Sequence, residues 1–180
     1  VYVSVVGVIR KRIHPEPLGV RGVGERAVGV ERQVAVRHVG GQHGGERVAS
    51  LHPGLELAEC RFIHDAAFPP LPAILADGAG SGTIIYGPAI ADWKTRDIAG
   101  QEVTLTSNGR LRRQGTAAAA LDHPMAPLTW LANELSRTGV GMKAGQMVST
   151  GTLTGMLAPK PGEEFVADFG PFGSVTVTFN

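Results

Sequence analysis

The alternation of apolar and polar residues predicts a β-hairpin in the middle of the chain. Two short β-prone runs, 103–106 and 111–113, flank Ser107-Asn108-Gly109. Asn-Gly tolerates the positive φ angles of a tight turn, so we expect the two runs to pair as antiparallel strands.

A helical pattern follows the hairpin. Three leucines recur at helical spacing: Leu128, Leu131 and Leu135. Asp122 is suited to cap the start of this helix, Pro124 suits a first turn and Gly139 suits a stop. We predict one amphipathic helix, with Trp130 near its apolar stripe and packed in the core.

The C-terminal tail is typical of strand, turn and strand. Residues 146–150 are a β-prone run, Pro161-Gly162 is a turn signal, and apolar residues alternate with threonines over 175–179. An antiparallel, half-buried sheet is expected. With one convincing helix and several short strands, the predicted fold class is mainly β (α+β) with a few helices.

The first fifty residues differ from the rest. They contain 13 Val and 9 Gly, and 8 Lys and Arg against 4 Glu. Two interpretations stay open: edge strands with tight glycine turns, or an atypical segment that is not native to the remainder. We therefore divide the chain into an atypical segment, 1–50, and a β-rich domain, 51–180.

Composition and charge restrict the function classes. With 43% hydrophobic residues in 180, the chain has enough apolar material for one core. A formal net charge of +1 gives no reason to expect a nucleic-acid partner, so a small-molecule ligand is the default. The sequence shows no leader and no apolar run of transmembrane length, so we expect a soluble, cytoplasmic protein without a membrane partner.

Common catalytic motifs are missing from the sequence: it has no phosphate-binding loop, GxSxG elbow, HExxH or CxxC. Cys60 is the only cysteine and is expected to be a small core residue. His38, His43 and His52 match no zinc spacing, so we expect loop or solvent positions for them.

Carboxylates in apolar surroundings indicate a possible functional site more clearly than the cysteine and the histidines do. In Leu55-Glu56-Leu57-Ala58-Glu59, a strand would place the two glutamates on opposite faces, so one of them can point inward. A carboxylate inside an apolar core is usually paired or binds a hard cation such as Mg²⁺ or Mn²⁺. The alternative is a surface strand with both acids solvated.

Two further features accompany this segment. Glu31 and Gln33 are two residues apart and would share one face of a strand, although Gln33 offers only a neutral oxygen. Residues 149–155 are rich in hydroxyl groups and glycines and directly follow a predicted strand. Such a turn can donate N–H and O–H groups to a carboxylate or an enolate.

Taken in order, these segments resemble the fumarylacetoacetate hydrolase superfamily, in its 2-keto-4-pentenoate hydratase and 4-oxalocrotonate decarboxylase branch. The similar stretches cover about residues 51–180: HPGLELAECR, ILADGAGSG, LDHPMAPLTWLANEL and MVSTGTLTGMLAPKPGEEFVADFGPFGSVTVTF. The resemblance implies the mixed β-sandwich or roll of that family's C-terminal domain.

The resemblance also implies roles for individual residues. It makes Glu56 a ligand of Mg²⁺ or Mn²⁺ together with Glu31 and Gln33, and it implies a catalytic Asp77. It places Thr152 and Ser81 in substrate binding. The sequence departs from the family where Gln33 replaces a glutamate, where Gly78 replaces an asparagine, and in lacking an upstream Gly-Tyr-Lys motif.

The implied activity is a metal-dependent lyase in aromatic-compound catabolism that hydrates 2-hydroxypenta-2,4-dienoate to 4-hydroxy-2-oxopentanoate. Alternatives are a 2-oxo acid decarboxylase, an acylpyruvate-type C–C hydrolase, and a non-catalytic family member. A homo-oligomer is expected, because a truncated sandwich leaves apolar surface uncovered.

Overall fold

The computed structural model describes residues 1–9, 48–61 and 69–180. Short β-prone runs separated by glycine and proline turns form strands in this part of the chain, which contains these strands and α-helices in order: β1 Tyr2–Ile9, β2 Val48–Leu57, α1 Leu71–Ala76, β3 Thr83–Tyr86, β4 Glu102–Ser107, β5 Arg110–Thr116, α2 Met125–Arg137, β6 Met147–Ser149, β7 Glu164–Asp168 and β8 Ser174–Thr178. No helix among these residues is long and apolar enough to cross a membrane.

The strands form two antiparallel sheets of four strands each. The first has the order β3-β2-β1-β6 and the second the order β5-β4-β7-β8. The mainly β fold class is therefore confirmed. β2 spans the boundary proposed at residue 50, because it runs from Val48 to Leu57. β1, from the first segment, pairs with β2 inside the first sheet. That boundary stays a prediction.

One apolar core joins the two sheets. Alternate residues of β2, among them Leu51 and Leu55, are fully buried and belong to the same cluster as Leu105 and Phe165 of the second sheet. Because successive side chains of a strand point to opposite faces, this alternation identifies the inner face of each sheet. Burying a large apolar side chain contributes about 1.5–3 kcal/mol, so this core dominates the stability of the fold.

The hairpin prediction is confirmed. β4 and β5 pair on either side of Asn108 and Gly109, whose φ angles are 48° and 73°. In the tail, the turn at Gly162 and the alternation of β8 are also found. The tail does not form one sheet, however. β6 pairs with β1 in the first sheet, whereas β8 pairs in the second sheet with β7, a strand that was not predicted.

The predicted helix is present, but two of its details are wrong. Asp122 has a φ of 65° and lies outside the helix, and the N–H of Met125 donates instead to Nδ1 of His123 at 3.0 Å. Trp130 is 53% exposed, whereas Leu128 is buried. Two residues along a helix correspond to about 200° of rotation, which turns Trp130 away from the face that Leu128 presents to the core.

Candidate functional site

Glu56 lies near the end of β2, a strand with neighbours on both sides. It is aligned with Tyr2 of β1 and Ile84 of β3. Its side chain is half-buried and points to the face opposite Leu55. The expectation of a glutamate inside the apolar core is therefore wrong, because Leu55 has that position. Within the described residues, no ion pair or hydrogen bond involves the carboxylate of Glu56, which leaves both oxygens for a ligand.

An arginine organises the chain just beyond β2. The backbone N–H of Arg61 donates to Oδ2 of Asp77 at 3.1 Å, and its Nη1 lies 3.3 Å from Oδ1. The side chain of Asp77 is only 6% exposed, whereas that of Arg61 is 51% exposed. Glu59 lies outside the strand, is exposed, and its Oε2 is 3.9 Å from Arg61. Arg61 therefore compensates the charge of a buried carboxylate.

The same arginine fixes the turn that leads into β3. Its Nη1 donates to the carbonyl oxygen of Asp77 at 2.9 Å, and its Nη2 donates to the carbonyl oxygen of Ser81. A Cβ atom on Gly82 would lie 2.2 Å from the carbonyl oxygen of Leu57, so this turn packs directly against the end of β2. The exposed Ser81 is held at that end by its backbone.

The predicted turn after β6 runs along the other side of β1. The N–H of Leu153 donates to the carbonyl oxygen of Val3 at 2.9 Å. Thr152 is exposed, while Thr150 and Thr154 are buried. Gly151 has a φ of 113°, a conformation that favours glycine. The turn therefore presents the side chain of Thr152 and anchors the threonines beside it.

The register brings three of these features to one end of the first sheet. Val3 is aligned with Leu55 and Tyr2 with Glu56, so the turn containing Thr152 and the strand carrying Glu56 flank β1 at the same level. Adjacent strands are about 4.8 Å apart, so they are separated by roughly 10 Å. Asp77 and Ser81 precede β3 at the same end. A small ligand would span this distance.

The described residues do not complete a metal centre. Among them there is no group of three or more His, Cys, Asp and Glu side chains able to hold a metal ion. Glu31 and Gln33, like His38 and His43, lie outside the described residues. Their predicted roles therefore stay predictions, and Glu56 is the one predicted ligand that the structure places.

Sequence reasoning missed or misjudged three residues around this strand. Arg61 was not predicted to have a role, although it is the last residue of the resembling segment HPGLELAECR. Cys60 is exposed rather than part of the core. His52 is not in a loop: it lies half-buried in β2, and Ser50 Oγ is 2.8 Å from its Nε2. An alternating strand with a histidine two residues after a serine was the available signal.

Some of the proteins that this chain is similar to are enzymes. The chain is 30% identical over 142 residues to 4-oxalocrotonate decarboxylase of Pseudomonas putida, covering 77% of this chain and 53% of that protein. It is 32% identical over 105 residues to 2-keto-4-pentenoate hydratase of Burkholderia vietnamiensis, covering 58% of this chain and 40% of that protein. The chain thus spans about half the length of the curated relatives it matches.

The solved structures agree on the fold. 4-Oxalocrotonate decarboxylase from Pseudomonas putida G7, complexed with magnesium and adipate, superposes with a TM-score of 0.75 at 24% identity, over 99% of this chain and 59% of that one. The family model described as fumarylacetoacetate (FAA) hydrolase C-terminal matches residues 24–180. The chain therefore belongs to the fumarylacetoacetate hydrolase C-terminal family.

Proposed function

We propose that the chain is a metal-dependent lyase that hydrates 2-hydroxypenta-2,4-dienoate to 4-hydroxy-2-oxopentanoate in the breakdown of aromatic compounds. The observation that carries this proposal is the half-buried carboxylate of Glu56 at the sheet end that also bears the turn containing Thr152. Relatives named as 2-keto-4-pentenoate hydratases support the reaction class.

The donor chemistry at this end of the sheet fits a hard divalent cation. Carboxylate oxygens are the ligands that Mg²⁺ and Mn²⁺ prefer, and Glu56 has no competing cation among the described residues. Glu56 would hold the ion together with Glu31 and Gln33. When bound, the ion would withdraw electron density from the carboxylate and 2-oxygen of a 2-oxo acid.

The chain's own residues would orient the substrate. Thr152 would donate its hydroxyl proton to a substrate oxygen; its side chain is exposed, and its turn is anchored to β1 through Leu153. Ser81 is exposed on the opposite side of the sheet end. Asp77, predicted as a catalytic residue, would instead act as a positioning residue that orients Arg61 and the Ser81 turn, because its carboxylate is already hydrogen-bonded to Arg61.

A decarboxylase is the second candidate. The identity to 4-oxalocrotonate decarboxylase extends over 142 residues, more than the 105 residues shared with the hydratase of Burkholderia vietnamiensis. An acylpyruvate-type C–C hydrolase and a non-catalytic family member are the remaining alternatives. Release of CO₂ identifies the decarboxylase, and a second carbonyl product identifies the hydrolase.

A homo-oligomer stays part of the proposal. Leu71 and Leu75 lie one turn apart on α1, and they are 65% and 62% exposed. Apolar side chains in such positions favour association with another apolar surface.

The test follows the ultraviolet absorbance of 2-hydroxypenta-2,4-dienoate in the presence of Mg²⁺ or Mn²⁺. We expect metal-dependent loss of the dienol and at least about 100-fold lower activity in Glu56→Gln, since even residues outside the ligand shell cost 10–100-fold. Glu59→Gln is the matched control, because Glu59 is three residues away and exposed. Equal activity in both variants would refute a ligand role for Glu56.

If the folded protein shows no metal-dependent turnover, the proposed lyase activity is refuted. Calorimetry with Mg²⁺ and oxalate would then show whether a non-catalytic binding site remains.

A further inference from the structure

A serine, a histidine and a carbonyl group form a hydrogen-bonded chain on β2. Ser50 Oγ lies 2.8 Å from His52 Nε2, and His52 Nδ1 lies 2.8 Å from the carbonyl oxygen of Gly87. The edge of the His52 ring meets Tyr86, with 5.2 Å between the ring centroids and 79° between the ring planes. The imidazole is therefore held at both nitrogens and on one side.

These partners determine the tautomer of His52. A carbonyl oxygen only accepts hydrogen bonds, so Nδ1 must carry the proton that is donated to Gly87. In the neutral ring Nε2 is then an acceptor, and Ser50 donates its hydroxyl proton to it. The hydroxyl group consequently points its proton at a base, which is the arrangement that activates a serine nucleophile.

The sheet makes this arrangement rigid. Residues two apart on a strand share a face, which places Ser50 beside His52. The accepting carbonyl is fixed as well, because the N–H of Gly87 donates to the carbonyl oxygen of Pro53 at 2.9 Å. Ser50 itself is half-buried, so part of its surface is open to a reactant.

We propose that Ser50 is a nucleophile that His52 activates and that accepts the acyl group of activated carboxylic esters. Oγ of Ser50 would attack the ester carbonyl carbon while Nε2 takes the hydroxyl proton, and the bond to the leaving alcohol or phenol would break with that proton transferred to the leaving oxygen. Water would then attack the acyl-serine, give its proton through Nε2 to Oγ, and release a carboxylic acid.

This site is separate from the proposed lyase site. Ser50 and Glu56 are six residues apart on one strand, which corresponds to roughly 20 Å at 3.3 Å per residue. The ester reaction needs no metal ion, whereas the proposed hydratase does. The two proposals can therefore fail independently, and Glu56→Gln should leave ester cleavage unchanged.

The experiment treats the full chain with p-nitrophenyl acetate and follows phenolate release, with peptide mass mapping of the acetyl group. We expect up to one acetyl group per chain on Ser50, located by fragmentation of its peptide because the exposed Cys60 lies on the same tryptic peptide, and none at position 50 in Ser50→Ala. His52→Asn keeps a donor near the Nδ1 position but lacks the base, so acetylation of Ser50 should slow by about 100-fold. Ser174→Ala, which changes an exposed serine on β8, is the matched control and should react like the unmodified chain.

Equal acetylation of Ser50 and Ser174 within one digest would overturn the proposal, because a serine that His52 activates should react faster than the exposed, unactivated Ser174. An unchanged rate in His52→Asn, with the sheet signal in circular dichroism retained, would also overturn it. If that variant loses the sheet signal, the comparison of Ser50 with Ser174 in the unmodified chain still decides.

Discussion

A methyl group at Gly115 should disturb both the fold and the turn that carries Thr152. Gly115 lies in β5, and a Cβ atom built on it would be 2.1 Å from the carbonyl oxygen of Leu153. Carbon and oxygen atoms normally approach to about 3.3 Å, so the overlap is roughly 1.2 Å. The obstacle is backbone rather than a flexible side chain, so either β5 or the turn must move.

We expect Gly115→Ala to lower the free energy of unfolding by about 2 kcal/mol, the middle of the range for inserting a methyl group into a packed contact. For a chain of this size the melting temperature should then fall by about 4–8 °C. Thermal unfolding followed by circular dichroism measures the shift. The neighbouring Gln114→Ala is the control: its side chain is exposed, so it should change stability by less than about 0.5 kcal/mol.

An unchanged melting temperature in Gly115→Ala would refute this reasoning, because it would mean that the two backbones are not in contact. A fall as large in Gln114→Ala would refute it as well, since the effect would then belong to the strand and not to the contact. If the fall is specific, ligand binding at the turn should weaken in parallel, because Leu153 is adjacent to Thr152.

Two further predictions concern charged groups. Arg61→Ala should destabilise the chain by about 1–3 kcal/mol in urea unfolding, since it leaves the buried carboxylate of Asp77 without its cation. Arg61→Lys keeps the charge but not the planar guanidinium, so unchanged stability in Arg61→Lys would contradict the role of the guanidinium. The backbone N–H of Lys160 lowers the pKa of Glu163 from its ordinary value, so this group stabilises the fold above the ordinary glutamate pKa and loses that effect as pH falls through the lowered pKa. The free energy of unfolding should therefore decline less between neutral and acid pH in Glu163→Gln than in the unmodified chain. If the exposed control Glu164→Gln flattened the pH profile as much as Glu163→Gln, the assignment to Glu163 would be contradicted.

Local signals predicted the parts of the fold that depend on local geometry. Asn108 and Gly109 take the positive φ angles that a tight hairpin needs, so two residues determined a turn. Trp130 was misplaced although it is turned about 200° from Leu128 along the helix; the usual burial of a large aromatic side chain was given more weight than that angle. β7 was missed because its pattern became visible only through its pairing with β4 and β8.

The candidate site shows the same division. Glu56 was singled out by a carboxylate in apolar surroundings, but its orientation depends on the register with β1 and β3. The ion pair of Arg61 with Asp77 joins residues 16 apart, and no strand or helix period brings such residues together. The turn that packs against the end of β2 brings Arg61 and Asp77 together, and this packing is visible only in the three-dimensional structure.

The comparison of Glu56 with Glu59 shows why one of two similar glutamates is the better candidate for the proposed ligand. Glu56 is held by strands on both sides and is half-buried, so little conformational freedom remains to be lost when a cation binds. Glu59 follows the strand, is exposed and lies 3.9 Å from Arg61, so an ion would have to compete with that cation. The second sheet lies against the same turn, because a Cβ atom on Gly115 would be 2.1 Å from the carbonyl oxygen of Leu153, whose N–H donates to Val3 of β1. Substrate binding should therefore be sensitive to mutations in β5, although that strand lies in the other sheet.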